Sequence, residues 1–353
     1  MKKGFLKFSV MSIILSCTMA QTTAAARLAP MLQPGWSASL TGLYLKPSAS
    51  NLEYAIHTTP LPLPAPNWQQ KVVNPNYSGA FDLGLQYNLL SGTDQVKFDW
   101  LYFSSKDEAS AGSLPNTSIG PAYYYGPAQQ FILNTSANST VKFNINDGRL
   151  VFGHLVDLTD RIQIEPFVGL DAAYLKENIS NNYFGTDPVY GPYTHAVYIN
   201  SKFMGLGPRL GVDSSYFITN HFAIIAGIAG DLLAGKVDYS TNFTSWTAYT
   251  GDLNHNTTPA NTSMANENQY RIVPELDAKL AVRYQVAFEN SKSELTLQAG
   301  YLYAVYLNAI QEVLPSTLVP GSWEAGSVAI INQTQQQSNI DLRGPFISAS
   351  WKF

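Results

Sequence analysis

The chain has 353 residues; only 13% are charged, while 21 Tyr, 17 Phe and 6 Trp bring the aromatic share to 12%. A soluble chain usually carries about a quarter charged residues, and a formal net charge of −4 without any basic tract excludes a nucleic-acid partner. A single cysteine, Cys17, excludes a disulfide framework.

The first predicted element is a leader. Lys2, Lys3 and Lys7 make a basic start, residues 8–15 an apolar run, and small-residue cleavage sites follow at Ala20 or Ala26. The run is too short to cross a bilayer, so residues 1–26 read as a signal peptide and 27–353 as one exported domain. Leu15 is a poor fit two residues before a lipidated cysteine, which speaks against a lipoprotein. Loss of the three lysines takes the formal charge from −4 to −7. The longest later apolar run, FAIIAGIAGDLLAG from Phe222, is short and interrupted by Asp231. A helical span is excluded, which leaves a closed β-barrel as the structure that satisfies backbone groups in lipid.

Strand candidates follow in order. WSASLTGLYLK (36–46) precedes YSGAFDLGLQY (77–87), where Tyr77, Gly79, Phe81, Leu83, Leu85 and Tyr87 share one face. Its ten steps of ~3.3 Å at ~45° tilt approach the ~25 Å apolar band of an outer-membrane barrel, with a tyrosine at each interface. QVKFDWLYF (95–103) comes next, then VKFNINDGRLVFGH (141–154), whose alternation slips at Asp147-Gly148. The slip marks either a glycine bulge or an Asp-Gly hairpin turn, and since two six-residue arms would be too short to span, the bulge is favoured. RIQIEPFVGLDAAYL (161–175), GLGPRLGVDSSYF (205–217) and HFAIIAGIAGDLL (221–233) continue the series. YRIVPELDAKLAVRY (270–284), ELTLQAGYLYAVY (294–306) and DLRGPFISASWKF (341–353) complete it, with a second slip expected near Gly344-Pro345.

The glycines of 205–217 do not build a nucleotide loop. A dinucleotide fingerprint reads G-x-G-x-x-G, whereas Gly205, Gly207 and Gly211 are spaced G-x-G-x-x-x-G with Pro208 inside. Glycines on the inner face let a barrel strand bend, and a bulge is expected to absorb the donor that Pro208 removes.

Connections between these ten strands alternate strictly between long and short. The fold class is therefore an all-β, transmembrane, antiparallel up-and-down barrel of about ten strands, with short periplasmic turns and long extracellular loops. The long segments are 47–76, 104–140, 176–202, 235–269 and 307–338. HTTPLPLPAPNW (57–68) reads as an extended, polyproline-like loop. N-x-S/T triplets at Asn116, Asn134, Asn138, Asn178, Asn242, Asn256, Asn261 and Asn332 mark exposed polar loops. Ile347, Ala349, Trp351 and Phe353 share a face of the last strand and form a candidate assembly signal for the insertion machinery.

Chemistry is sparse. H-E-x-x-H, G-x-S-x-G and cysteine clusters do not occur. The topology puts His154 and His221 at the periplasmic rim and His57, His195 and His255 in external loops, as solvated side chains. His195 and His255, with Asp252 nearby, are candidates for an outer-membrane hydrolase by location only. The chain reads as a non-enzyme with no cofactor or metal. Strand parity turns Asp82, Asp99, Glu165, Asp171, Asp213, Asp231, Glu275 and Asp277 into the lumen. Opposite them it places Lys97, Lys142, Arg149, Arg161, Arg209, Arg271, Lys279 and Arg283. Balanced charges line a narrow aqueous pore or pair into a plug that leaves the barrel to present loops. Ten strands lie nearer the filled eight-stranded size than the open sixteen-stranded one.

WSASLTGLYLKPS, FVGLDAAYLKE, GLGPRLGVDSSYF, LLAGKVDYS, VPELDAKLAVRY and the terminal Phe353 together resemble the Legionella major outer membrane protein family. The resemblance covers nearly all of the mature chain. It implies a porin-like barrel that passes small hydrophilic solutes. Its partners would be outer-membrane lipid and lipopolysaccharide, the barrel-insertion machinery, further copies of the chain and a host surface ligand. The family's major member is associated with intermolecular disulfides. A mature chain without cysteine is better read as a paralogue.

Overall fold

Alternating apolar and polar side chains suit a strand with lipid on one face and a polar interior on the other, and each predicted segment forms such a strand. The computed structural model describes residues 28–353 except 31, 60–66, 114, 116, 123–133, 188–190, 248–259, 289–292 and 321–327. The predicted leader and His255 lie outside the described residues. Among those described, fourteen strands run in chain order. They are β1 (Gly35–Ala49), β2 (Glu53–Thr59), β3 (Asn67–Val72), β4 (Ser78–Asn88), β5 (Asp94–Gly112), β6 (Ser118–Pro121) and β7 (Asn134–His154). The second half comprises β8 (Val156–Asp157), β9 (Ile162–Asp187), β10 (Gly191–Phe217), β11 (Phe222–Thr247), β12 (Ala260–Ala287), β13 (Glu294–Pro320) and β14 (Val328–Lys352).

Ten of them, β1, β4, β5, β7 and β9 to β14, form the ring of antiparallel neighbours that the sequence predicts. It closes where β14 pairs with β1 (Ser37 opposite Lys352) and β7 with β9 (Arg149 opposite Asp171). No helix among the described residues is long and apolar enough to cross a membrane; the strands do so. Exposed apolar side chains mark the belt: Val168 and Leu170 on β9, Leu206 and Leu210 on β10, Ile228 and Leu232 on β11. Aromatic rings edge it. Trp36 and Tyr87 pack 4.8 Å apart at the end with short turns, and Tyr44 stacks on Tyr77 at 5.2 Å at the other.

Beyond Tyr174, Met204 and Ala234 the outward positions turn polar, as in Asn178, Ser180 and Asn182 on β9 and Lys236, Asp238 and Ser240 on β11. The strands nevertheless continue. β9 and β10 stay paired from Ile162–Tyr216 to Asp187–Gly191, so segments expected as loops are largely hairpin arms, and Asn178 and Asn242 stand on strands. An arm with water outside has no need of a lipid-facing stripe, so the alternation that flags a membrane strand disappears while the backbone ladder persists. The proline-rich stretch is likewise corrected at its ends, because residues 57–59 and 67–68 belong to the β2–β3 hairpin; residues 60–66 lie outside the described ones.

Three expected irregularities are absent. β7 keeps one register with both neighbours through Asp147 and Gly148. β14 keeps one register against β1 across Gly344 and Pro345. Pro208 interrupts the pairing with β11 at two residues without shifting it. Gly207 instead serves close strand contact: a Cβ there would run into the backbone carbonyl of Leu232 on the neighbouring strand, an approach that only glycine permits. Register breaks lie elsewhere, among them Val237/Tyr239 in β11 and Tyr306 to Ile310 in β13.

The second break redirects the chain. β13 leaves β12 after Tyr306 opposite Glu275, turns at Asn308 with φ 55°, and runs buried through residues 309–313. There the Gln311 N–H donates to Ser201 Oγ of β10 at 3.0 Å, so the strand lies across the external half of the lumen. Leu52, Tyr54 and Ala55 enter the same space and pack with Phe143, Leu175 and Phe203 in an apolar core. At the other end the Leu28 and Ala29 N–H groups donate to the Asp160 carbonyl, both at 3.0 Å. Ala29 packs on Phe217, Ala223, Ile225 and Ala281.

Candidate functional site in the barrel lumen

Between these two apolar caps, at the level of the belt, strand parity turns a layer of charge inward. Cross-strand register then sets Arg209 beside Asp231 across β10 and β11 and Arg149 beside Asp171 across β7 and β9, and it also puts two acids together, Asp231 and Glu275, across β11 and β12. Arg209 is the hub. It is 5% exposed and donates to Asp231 and Asp277, with Asp171 Oδ2 3.5 Å from Nη1. Its guanidinium also lies 6.0 Å from the Phe167 ring centroid. Arg149 Nη2 donates to Asp82 Oδ2 at 2.7 Å, and its Nε lies 3.6 Å from Asp147 Oδ2. Tyr306 O–H donates to that same Asp147 oxygen at 3.2 Å. Nearer the short turns, Lys97 Nζ meets Glu165 Oε1 at 2.6 Å and Lys279 Nζ meets Asp213 Oδ2 at 3.0 Å.

Most predicted lumen residues therefore come together, and Asp99, Glu275 and Arg283 face the same interior. Three do not. Lys142 is exposed on the outer side of β7, because without a bulge it has the opposite parity to Arg149. Arg161 is exposed in the turn before β9. Arg271 sits at the mouth, where its Nη1 donates to the Asn308 carbonyl at 3.0 Å. Asp147 and Tyr306 belong to the network and were missed; Asp147 lies two residues before Arg149, so unbroken alternation would have placed it. Ile347, Trp351 and Phe353 all point outward, each more than two-fifths exposed, and Ala349 is exposed beside them.

A second polar group lies above the belt. Asn51 Nδ2 donates to Glu177 Oε2 at 2.7 Å, and Glu312, on the strand that crosses the lumen, is 1% exposed. Burial pushes the Glu177 carboxyl up to about 7 against the opposing Asn51 hydrogen bond. Burial, reinforced by the charge of Glu177, pushes Glu312 up to about 8. His195 is buried on β10 rather than solvated in a loop, and burial pulls its imidazole down to about 4. Of the other histidines, His154 Nδ1 lies 2.6 Å from Asp94 Oδ1 and His221 Nδ1 lies 3.0 Å from the Gln285 carbonyl, both at the short-turn rim as expected. His57 Nε2 lies 3.1 Å from Thr117 Oγ1.

A closed ring of ten antiparallel strands, belted with lipid-facing side chains and charged within, is a bacterial outer-membrane β-barrel. Residues 28–353 match the family described as Legionella pneumophila major outer membrane protein precursor, and the chain belongs to that family and to the bacterial outer membrane. Among solved structures it is similar to the outer membrane protease OmpT from Escherichia coli, at 11% identity over 90% of this chain and 96% of that one, with a TM-score of 0.34. It is also similar to the toluene transporter TodX of Pseudomonas putida, at 8% identity over 90% and 89%, with a TM-score of 0.31. A Pseudomonas aeruginosa FadL homologue follows at 9% identity over 90% of each chain, with a TM-score of 0.26. No curated protein matches the chain.

Proposed function

We propose that the barrel is sealed at rest and serves as a non-enzymatic, membrane-anchored platform that holds long hairpins at the cell surface. The observation that carries this reading is Arg209, 5% exposed in mid-lumen among three carboxylates. A conducting lumen keeps its wall charges wet, whereas Arg209 and its three carboxylate partners are buried, with apolar clusters on both sides. Lipid and lipopolysaccharide at the belt, the insertion machinery at the last strand, other copies of the chain and a host ligand at the hairpins are the partners that suit such a role.

A porin-like route for small hydrophilic solutes is the second reading. The charge of the filling favours it, since a barrel that only needs filling can use apolar side chains. Under this reading the strand at 309–313 and the network below it move aside together. Purified protein in planar bilayers separates the two. The sealed barrel passes no steady current at low voltage; stable conductance steps of uniform size in the unmodified protein overturn it and assign a diffusion pore.

A further inference from the structure

Asp147 of β7, Asp171 of β9 and Glu275 of β12 converge in the middle of the lumen, with one oxygen of each within 4.8 Å of the others. All three are 2% exposed or less. Their other contacts use one side of each aspartate: Asp147 Oδ2 takes the Tyr306 hydroxyl and faces Arg149, and Asp171 Oδ2 faces Arg209. Asp147 Oδ1, Asp171 Oδ1 and Glu275 Oε2 are buried and accept no hydrogen bond. An adjacent triad, Asp231, Glu275 and Asp277, already has its cation, because Arg209 bonds both aspartates. The first triad meets Arg149 and Arg209 only at longer range, through Asp147 Oδ2 at 3.6 Å and Asp171 Oδ2 at 3.5 Å. Charge points the same way: Asp82, Asp147, Asp171, Asp231, Glu275 and Asp277 gather around two guanidiniums, those of Arg149 and Arg209.

A buried carboxylate oxygen without a donor or cation is costly, and here three carboxylates that each carry one are gathered in one cluster. Hard oxygen donors with no nitrogen or sulfur among them suit Ca2+ or Mg2+ rather than a transition metal. Three carboxylates leave coordination positions that water or a neighbouring carbonyl can take. We propose that the lumen holds one divalent cation of the calcium class, bound by Asp147, Asp171 and Glu275, which ties β12 to β7 and β9 across the barrel. The proposal stands whether or not the barrel conducts.

The test uses full-length mature protein refolded from urea into detergent at pH 7.5, with Ca2+ as the probe. Elemental analysis after dialysis should find close to one Ca2+ per chain. Refolding in EDTA should lower the urea midpoint, and added Ca2+ should restore it. Glu275→Gln, which keeps the shape and removes the charge, should weaken Ca2+ binding by at least about tenfold, the loss typical of removing even an outer-shell partner. Its midpoint should no longer respond to EDTA. If Glu275→Gln fails to fold, the ion content and EDTA response of the unmodified protein decide alone. Unmodified protein that retains no ion and keeps its midpoint in EDTA overturns the proposal. In a Glu177→Gln/Glu312→Gln background, which removes the pH response expected of those two carboxyls, a midpoint that still rises between pH 7.5 and 5.5 without any ion would instead assign the neutralisation to shared protons. Bilayer conductance is read separately, so failure here leaves the sealed-barrel reading to its own assay.

Discussion

Arg209→Gln removes the hub of the lumen while leaving its shell. In the folded protein the guanidinium donates to Asp231 and Asp277 and faces Asp171, the latter 0% exposed. Glutamine can donate to one of these but neutralises none. Removing one partner of a buried ion pair costs about 3–5 kcal/mol, because the remaining charge is stranded without solvent; the Coulomb attraction of a pair at ~4 Å and an effective dielectric near 20, ~4 kcal/mol, agrees with that range. Set against a net stability of about 5–15 kcal/mol for a folded domain, the loss is large. With a urea slope of ~2 kcal/mol/M, it moves the unfolding midpoint down by roughly 2 M. The assay is urea titration in lipid vesicles, followed by tryptophan fluorescence and by the gel shift between folded and heat-denatured forms. Acid provides an internal control, since protonating the stranded carboxyls removes their charge and narrows the gap between variant and parent as pH falls towards 5. Arg209→Lys, which keeps charge but loses the planar fork, should fall between the two. A variant whose midpoint stays within ~0.3 M of the parent at pH 7.5 would refute the network as an element that stabilises the barrel interior.

Four further outcomes are expected. Glu177 and Glu312 bind protons more tightly folded than unfolded, so their contribution is full below about pH 4.5 and is lost as pH rises through about 7 to 8. The urea midpoint should therefore fall between pH 5 and 9, and Glu312→Gln should flatten that fall; an unchanged slope would remove Glu312 from the account. A cysteine at Thr93, in the β4–β5 turn, should resist impermeant reagents on intact cells while one at Ser113, beyond β5, reacts; labelling at Thr93 would invert the topology. Phe353→Asp should lower the amount of protein inserted, and since its lipid cost at the interface is only ~0–1 kcal/mol, a larger loss measured in membrane fractions implicates recognition of the last strand. Gly207→Val should reduce folding yield, because its Cβ would collide with the Leu232 carbonyl, and normal yield would show that the strands can separate there.

The belt was legible because lipid imposes a strict rule on every second residue. Val168, Leu170, Leu206 and Leu210 follow it, and the spacing of such segments counts ten strands correctly. Above the belt the rule reverses and the reading failed. Val141, Phe143 and Ile145 are apolar yet point inward, into the core formed with Leu175 and Phe203; taking them as lipid-facing created the false slip at Asp147-Gly148, displaced Lys142 into the lumen and hid Asp147. The polar outer faces of Asn178 to Asn182 looked like loop for the same reason. What parity cannot reveal at all is the departure of β13 from β12 at Tyr306, because it depends on a local turn at Asn308 and on a hydrogen bond to Ser201, 110 residues away in the chain.

Those failures share one physical cause, which also explains how the interior is divided. Inside the belt the outer face is solvated by hydrocarbon, so burying apolar groups in the lumen gains little over leaving them in lipid, and specificity falls to ion pairs whose partners are fixed by register. Outside the belt the arms stand in water, where apolar burial is favourable at roughly 25 cal/mol per Å2, and the lumen there fills with Tyr54, Phe103, Phe143 and Leu175 like the core of a soluble β-protein. One continuous set of strands thus carries two folding regimes stacked end to end. β13 joins them: Tyr306 reaches down to Asp147 in the charged layer, while Ile310 and Val313, a few residues on, sit in the apolar core. Loss of the Tyr306–Asp147 bond is therefore expected to be felt at Ile310 and Val313 in the apolar core, a few residues further along the same strand.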